Sequence, residues 1–332
     1  MNVQISVVMS VYNNVDFLKE SIESILTQSF KDFEFVIIND GSTDGSDKII
    51  ESYAKKDKRI KYISRENKGL IASLNEGIIN SKGKYIARMD GDDIAHPDRF
   101  KIQYNFLEQN NDIDICGTWL ERFTTDPKKS TNWKFPLNDK DLKTLLIFST
   151  PFAHPTIMMR KSIFQPYDEN FKNVEDYELW FRLSDNNKYA NIPKYLLKYR
   201  YHQESVSRIA NKKYELRKSL FSNIYKNLFN KLKLPYNEYT LDQHFIVSSN
   251  ERMKEYEVDL SFLKKHIRQI IKKNIEINLF DNKALLKFLS SKYFIATIYQ
   301  LKKGNYLEFK NIFSTYFFCG LFINIKKKLY QY

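Results

Sequence analysis

The feature that most constrains this chain is a regular exchange of two periodicities over its first third. Short apolar runs at Ile5–Val11, Phe33–Ile38, Ile60–Ser64 and Tyr85–Met89 have the length and β-branched content of buried strands. The segments between and after them, Asp16–Thr27, Ser46–Tyr53, Gly69–Asn80 and Pro97–Gln109, have helical spacing. In the first of these, Phe17, Leu18, Ile22, Ile25 and Leu26 gather on one face. Asp16 stands where it can cap that helix, and Pro97 falls near the first turn of the last one. Strand and helix alternating at this interval imply right-handed crossovers. The expected fold class is therefore α/β, with a mostly parallel sheet covered on both faces.

Ligands of such sheets lie beyond the carboxyl ends of the strands. The polar clusters of this sequence fall at those ends: Ser10-Val11-Tyr12-Asn13, Asn39-Asp40-Gly41-Ser42 and Asp90-Gly91-Asp92-Asp93. After Ile113–Phe123 the pattern changes to short elements separated by loops with Pro127, Pro136, Pro151 and Pro155. From about Ser205 the chain is helical in period and rich in lysine. We place a boundary there, giving domains 1–205 and 206–332.

Charge divides at nearly the same place. The net +13 arises from 53 Lys and Arg against 40 Asp and Glu. Residues 1–210 hold 30 of each, which leaves 23 basic against 10 acidic residues for 211–332. A basic, aromatic C-terminal region fits an anionic surface, or a solvated helical bundle. In one reading Phe313, Tyr316, Phe317, Phe322 and Lys326–Lys328 form a patch for the surface of the inner membrane. In the other these aromatics pack within a helical subdomain or a homo-oligomer interface. Cys116 and Cys319 have neither disulfide-framework nor zinc spacing, so a reducing, cytoplasmic setting is expected. No signal peptide is evident, and the apolar stretch Ile312–Ile325 is too short and interrupted to span a bilayer comfortably. The region has no nucleic-acid-binding motif, and no nucleic-acid partner is expected.

Five constellations can carry chemistry. Three carboxylates in Asp90-Gly91-Asp92-Asp93 would repel one another at a strand end unless a cation or several donors offset them. Oxygen ligands suit Mg²⁺ or Mn²⁺. The bland alternative is a turn with a cap. Glu175 and Asp176 precede the apolar positions Leu179, Trp180 and Leu183 of a helix. They either complement that helix's dipole or supply a general base. His154, in Phe152-Ala153-His154-Pro155-Thr156, and His202, in Arg200-Tyr201-His202-Gln203, are structural histidines or ligands to a metal or phosphate. Asp40, ahead of Gly-Ser, either closes a tight turn or accepts from a nucleobase N–H on which Tyr12 can stack.

Together these segments resemble the family 2 glycosyltransferases of GT-A fold, over about residues 3–205. The resemblance rests on motifs in order: Ser6 through Asn13, Phe35 through Asp44, Asn67-Lys68-Gly69 through Leu74-Asn75-Glu76-Gly77, Ala87 through Asp93, His154-Pro155-Thr156, and Glu175-Asp176. Ser10 stands where proline is common, and Leu74 where some members carry an arginine that reaches the nucleotide. Arg65, Lys68 and Arg88 are the substitutes at hand.

The resemblance implies that domain 1–205 binds a nucleotide sugar, with UDP the usual nucleotide. Its contacts would be Ser10, Tyr12, Asn13, Asp40, Ser42, Asn67, Lys68, Asn75, Asp90, Gly91, Asp92, Asp93, His154 and His202. Asp92, Asp90 and His202 would hold Mn²⁺ or Mg²⁺. Asp176 would be the general base, with Glu175 orienting the acceptor or the sugar. The implied reaction inverts the anomeric centre. It would transfer a hexose or N-acetylhexosamine to a saccharide or lipid-linked saccharide in surface polysaccharide or lipopolysaccharide synthesis, in the cytoplasm or at the inner face of the membrane. A nucleotidyltransferase would need a Gly-rich triphosphate loop near the N-terminus. A dinucleotide-dependent oxidoreductase would need G-x-G-x-x-G after the first strand, and neither motif occurs. A purely binding module would leave the acidic clusters unexplained.

Overall fold

The computed structural model describes residues 3–124, 130–202, 214–305 and 314–329. Pro127, Gln203, Ser205 and Phe313, singled out above, lie outside the described residues. The chain forms two compact units. One comprises Met1–Asp139 and Pro151–Ile209, the other Lys140–Thr150 and Ala210–Tyr332. The segment Lys140–Thr150 thus groups with the helical unit, not with the domain in which its sequence position places it. The reason is local: Leu142, Leu146, Ile147 and Phe148 are buried, and the carbonyls of Ile147 and Phe148 are taken up by His244 and Tyr225.

The first unit opens with β1 (Ile5–Val11), α1 (Val15–Leu26), β2 (Phe33–Asp40), α2 (Ser46–Ala54), β3 (Ile60–Arg65), α3 (Leu70–Ile79) and β4 (Tyr85–Asp90). It continues with β5 (Ile94–Ala95), α4 (Arg99–Gln109), β6 (Ile115–Phe123) and β7 (Thr131–Trp133). After the crossing of α5 (Asp139–Leu145) come β8 (Met158–Arg160), α6 (Glu175–Leu183) and β9 (Tyr189–Arg200). The sheet order is β3-β2-β1-β4-β8-β6-β9-β5, with β7 paired to β6. The long ladders, β1 with β2 and β4, β2 with β3, and β6 with β9, are parallel. The antiparallel ladders made by β5, β7 and β8 are two or three residues long.

Alternation explains the two-sided core. Ile5, Val7, Met9 and Val11 join Phe33, Phe35, Ile37, Tyr85, Ala87 and Met89 on one face, beneath Leu18, Ile22 and Ile25 of α1 and Phe100 and Leu107 of α4. Each such side chain contributes roughly 1.5–3 kcal/mol of burial. On the other face α3 lies so close that a Cβ at Gly77 would sit 2.5 Å from Val8. Helix α1 differs from expectation at its start. It begins at Val15, and Asp16 sits in its first turn without capping it, where the helix dipole still favours its charge.

Register assembles the site. Ser10 lies level with Ile38 on one side and Asp90 on the other, and Asp40 lies level with Arg65. Parallel strands of matched length therefore bring the polar clusters to one edge of the sheet.

The helical unit holds α7 (Tyr214–Lys231), α8 (Glu238–Ser248), α9 (Asn250–Glu255), α10 (Leu260–Ile277), α11 (Asn282–Lys302) and α12 (Thr315–Leu329). Its core includes a buried histidine pair: His244 Nδ1 lies 3.3 Å from His266 Nε2, among the rings of Phe148, Tyr225, Phe229 and Phe262. Among the described residues no helix is long and apolar enough to cross a membrane.

Candidate active site

The loops after β1 and β2 are laced to one another. The Asn13 amide donates to Ser42 Oγ (3.1 Å), and the Thr43 amide donates to Asn13 Oδ1 (2.9 Å). Asn13 adopts φ +50°, a conformation that asparagine tolerates better than most residues. Tyr12, at the tip, is exposed and Ser10 is partly so. Asn13 and Ser42 therefore shape the rim on which Tyr12 stands.

Asp40 is buried, and its carboxylate holds the next loop. Oδ1 accepts from the Lys68 amide (2.9 Å) and from Arg65, and Oδ2 accepts from the Gly69 amide (2.9 Å). Gly41 permits this approach, since a Cβ there would lie 2.7 Å from the Asn67 nitrogen. Asp40 thus anchors the loop that exposes Asn67 and Lys68. Arg65 also donates to Glu76 and Ser73, which ties this strand end to α3. The Asn75 amide both donates to and accepts from the backbone of Tyr167 (2.9 and 2.8 Å), so it clamps a distant segment.

At the end of β4 the guanidinium of buried Arg88 meets the Asp90 carboxylate fork to fork. Asp90, Asp92 and Asp93 offer oxygens that all lie within 4.8 Å of one another. Gly91 between them gives room to Asn14, whose Nδ2 would lie 2.6 Å from a Cβ there. Burial, with Arg88 opposing and Asp92 adding, raises the Asp90 carboxyl. Burial and the neighbouring Asp92 and Asp90 push Asp93 well above the carboxylate range. Asp93 is fully buried. One of its oxygens accepts from the Arg200 amide (2.9 Å), and the other has no partner among the described residues.

His202 Nε2 lies 3.1 Å from Asp92 Oδ2, with its ring 5.0 Å from that of Phe17. It arrives there because Arg200, ending β9, is fastened at several points. Arg200 Nε donates to the Asp92 carbonyl (2.8 Å), and Nη2 pairs with Glu20. The guanidinium lies between the rings of Phe17 (4.7 Å) and Phe123 (4.6 Å). Sequence reasoning named the Arg200–Gln203 run for its histidine alone.

The far wall is built on α6. Glu175 is buried, and its Oε2 has no partner among the described residues. Burial and then the adjacent Asp176 raise its carboxyl to about 7. Asp176 is half-buried, and its charge is felt by Asp90 and Tyr167. The acid cluster and Asp176 therefore share one electrostatic neighbourhood. His154 Nε2 is bonded to the Tyr167 hydroxyl (2.8 Å). Burial, with Arg88 adding, pushes its imidazole well below its ordinary range, so it stays neutral. His154 thereby props Tyr167 from a buried position.

Two further residues were missed. Tyr167 carried no motif of its own. Arg99 is fully buried, donating to the carbonyls of Arg88 (2.8 Å) and Ile157 (3.3 Å) and to Gln103. Burial pushes its guanidinium down to about 10, so it still places positive charge behind the aspartates at neutral pH. Its place beside Phe100, Gln103 and Leu107 on the buried helix face was the available signal.

Comparison with known proteins agrees with this geometry. The sequence profile described as Glycosyl transferase family 2 matches residues 6–167. An uncharacterized glycosyltransferase of Haemophilus influenzae is 36% identical over 220 residues, 62% of this chain and 68% of that protein. The O-antigen biosynthesis glycosyltransferase WbnJ of Escherichia coli is 35% identical over 218 residues, 64% of this chain and 85% of that protein. Among solved structures, residues 1–349 of S. aureus TarS in complex with UDP-GlcNAc superpose with a TM-score of 0.55 at 17% identity, covering 91% of this chain and 92% of that one. With the sheet, the acid cluster and these relatives in agreement, the chain belongs to glycosyl transferase family 2 and is a glycosyltransferase.

Proposed function

We propose that this enzyme inverts a sugar centre. It moves a hexose or N-acetylhexosamine from a UDP-sugar to a saccharide or lipid-linked saccharide during surface polysaccharide or lipopolysaccharide synthesis. The observation that carries the reading is the acid cluster Asp90, Asp92 and Asp93 at the carboxyl end of β4, with the charge of Asp176 felt at Asp90. The polysaccharide setting rests on the family and on the relative named for O-antigen biosynthesis.

The cluster fits a hard divalent cation. Its donors are carboxylate oxygens and one imidazole, and the orphaned oxygen of Asp93 marks it as short of positive charge. Asp92, Asp90 and His202 would hold Mg²⁺ or Mn²⁺, which when bound supplies charge neutralisation for the leaving diphosphate.

The chain's own residues do the rest. Tyr12, Lys68 and Asn67 stand exposed at the rim, where a base and its phosphates would lie. Asp176 takes the proton of the acceptor hydroxyl as that oxygen bonds to the anomeric carbon. The bond from that carbon to the diphosphate breaks, and its electron pair leaves with the nucleotide. Glu175, neutral over much of the range below pH 7, spares Asp176 a second adjacent charge.

The test is nucleoside diphosphate release from a panel of nucleotide sugars, with and without Mn²⁺. Asp92→Ala and Asp176→Asn should each lower transfer at least ~10²-fold. A wild-type rate in either folded variant removes the role assigned to that residue.

A further inference from the structure

Helix α12 has two unlike faces. One is seated on α11: Phe317 is buried with its ring 5.1 Å from that of Phe294, and Asn324 Nδ2 donates to Ser291 Oγ (3.1 Å). Gly320 lies so close to the Ser290 carbonyl that a Cβ would fall 2.2 Å from it. The other face presents Phe318, Phe322 and Ile325, which are 53%, 61% and 46% exposed. Their spacing of four and then three residues makes them one stripe. The sequence patch Phe313, Tyr316, Phe317 and Phe322 is thereby divided, since Phe317 is buried against α11 and Tyr316 has its ring 6.2 Å from that of Tyr293.

The charge of the same segment is one-sided. No Asp or Glu occurs from Asn311 to Tyr332, and Lys326-Lys327-Lys328 follow directly on the stripe. Three largely exposed apolar side chains followed in sequence by three cations match a negatively charged surface with an apolar interior. The helix has 15 residues. At 1.5 Å per residue it is about 22 Å long, short of the roughly 30 Å hydrocarbon layer, so it would lie along such a surface and not cross it.

We propose that α12 docks on an anionic lipid bilayer, inserting Phe318, Phe322 and Ile325 at the interface and setting Lys326–Lys328 among the headgroups. An apolar stripe and a polybasic run are the two signals that surface anchoring requires together. The inference is independent of the glycosyl-transfer reading, because lipid binding is measured without substrate.

The experiment is flotation of the full chain with phosphatidylcholine vesicles, with and without phosphatidylglycerol. The unmodified protein binds the anionic vesicles and is released from them as salt is raised. Phe318→Ser, Phe322→Ser and Ile325→Ser together lower partitioning at least ~10-fold. Lys326→Glu, Lys327→Glu and Lys328→Glu together lower it on the order of a hundredfold on anionic vesicles. Absence of binding by the unmodified chain, equal binding to both vesicle types, or wild-type binding by the stripe variant overturns the proposal. A lipid-free dimer, seen by sedimentation and broken by the stripe variant, would give this face to a second copy and overturn it equally.

Discussion

Replacing Glu175 by glutamine isolates the energetic cost of keeping a second acid beside Asp176. The Glu175 carboxyl ionises at about 7 in the folded protein against an ordinary 4.5. Between those values the native chain holds a proton that the unfolded chain has released, so the free energy of unfolding falls as pH rises. The stabilisation is complete below pH 4.5 and lost above about 7. At about 1.4 kcal/mol per pH unit, the separation amounts to about 3 kcal/mol. Glutamine has nothing to titrate. The stability difference between Glu175→Gln and the wild type therefore swings by about 3 kcal/mol in the variant's favour from pH 4.5 to pH 8. For a unit of this size that corresponds to roughly 6–12 °C in the melting temperature. Calorimetric melting of both proteins across that range measures it. Melting temperatures that run parallel with pH would refute the assignment of a buried, late-ionising Glu175.

Three more outcomes follow from particular contacts. Arg200→Lys keeps a charge near Glu20 but cannot also hold the Asp92 carbonyl and stack between Phe17 and Phe123. Mn²⁺ affinity, titrated by electron paramagnetic resonance, should fall about 10–100-fold, and an unchanged affinity removes Arg200 from the cluster's support. Asn75→Ala removes both hydrogen bonds to the Tyr167 backbone and should cost roughly 2–3 kcal/mol in denaturant melts, with Asn75→Asp between it and the wild type. In the helical unit, burial lowers His266 to about 4, and burial, then His266, pushes His244 down also. The unfolded chain binds these protons first, so stability is full above about pH 6.5 and is lost as pH falls toward 4. His266→Gln should remove roughly 2 kcal/mol of that acid sensitivity in urea melts at pH 7 and 4.5, and equal sensitivity in both proteins rejects the pair's role.

The sequence made the strand ends legible because buried strands exclude carboxylates. Asp90, Asp92 and Asp93 could only mark an edge of the sheet. What it could not convey is which polar residues are consumed by the fold. Asn75 reads as one more polar position on a helix, and its partner lies 92 residues away. Asp40 reads as a turn residue, but two of its partners are the backbone amides of Lys68 and Gly69, which carry no side-chain signature. His154 is filled by a tyrosine outside any motif. Arg99 was the most legible of the missed residues: a cation at the spacing of Phe100 and Leu107 has to be buried with partners.

This division has a chemical consequence. Asp40, Asn75 and His154 hold partners on loops and strand ends and are buried or half-buried, whereas Tyr12, Asn67 and Lys68 stand exposed and Asp92, Asp176 and His202 half-exposed. A buried group with its hydrogen bonds made is costly to disturb and adds little to a ligand, because a new partner must displace an existing one. A half-exposed carboxylate gives up only water on meeting a ligand. Changes in the first set should therefore appear in melting curves and in the second set in turnover, although both sets belong to the same run of motifs. Glu175 stands between them, buried like the first set and yet with one oxygen unpartnered among the described residues. For that reason its substitution alone is expected to raise stability at alkaline pH while acting on the side of the site where the acceptor would bind.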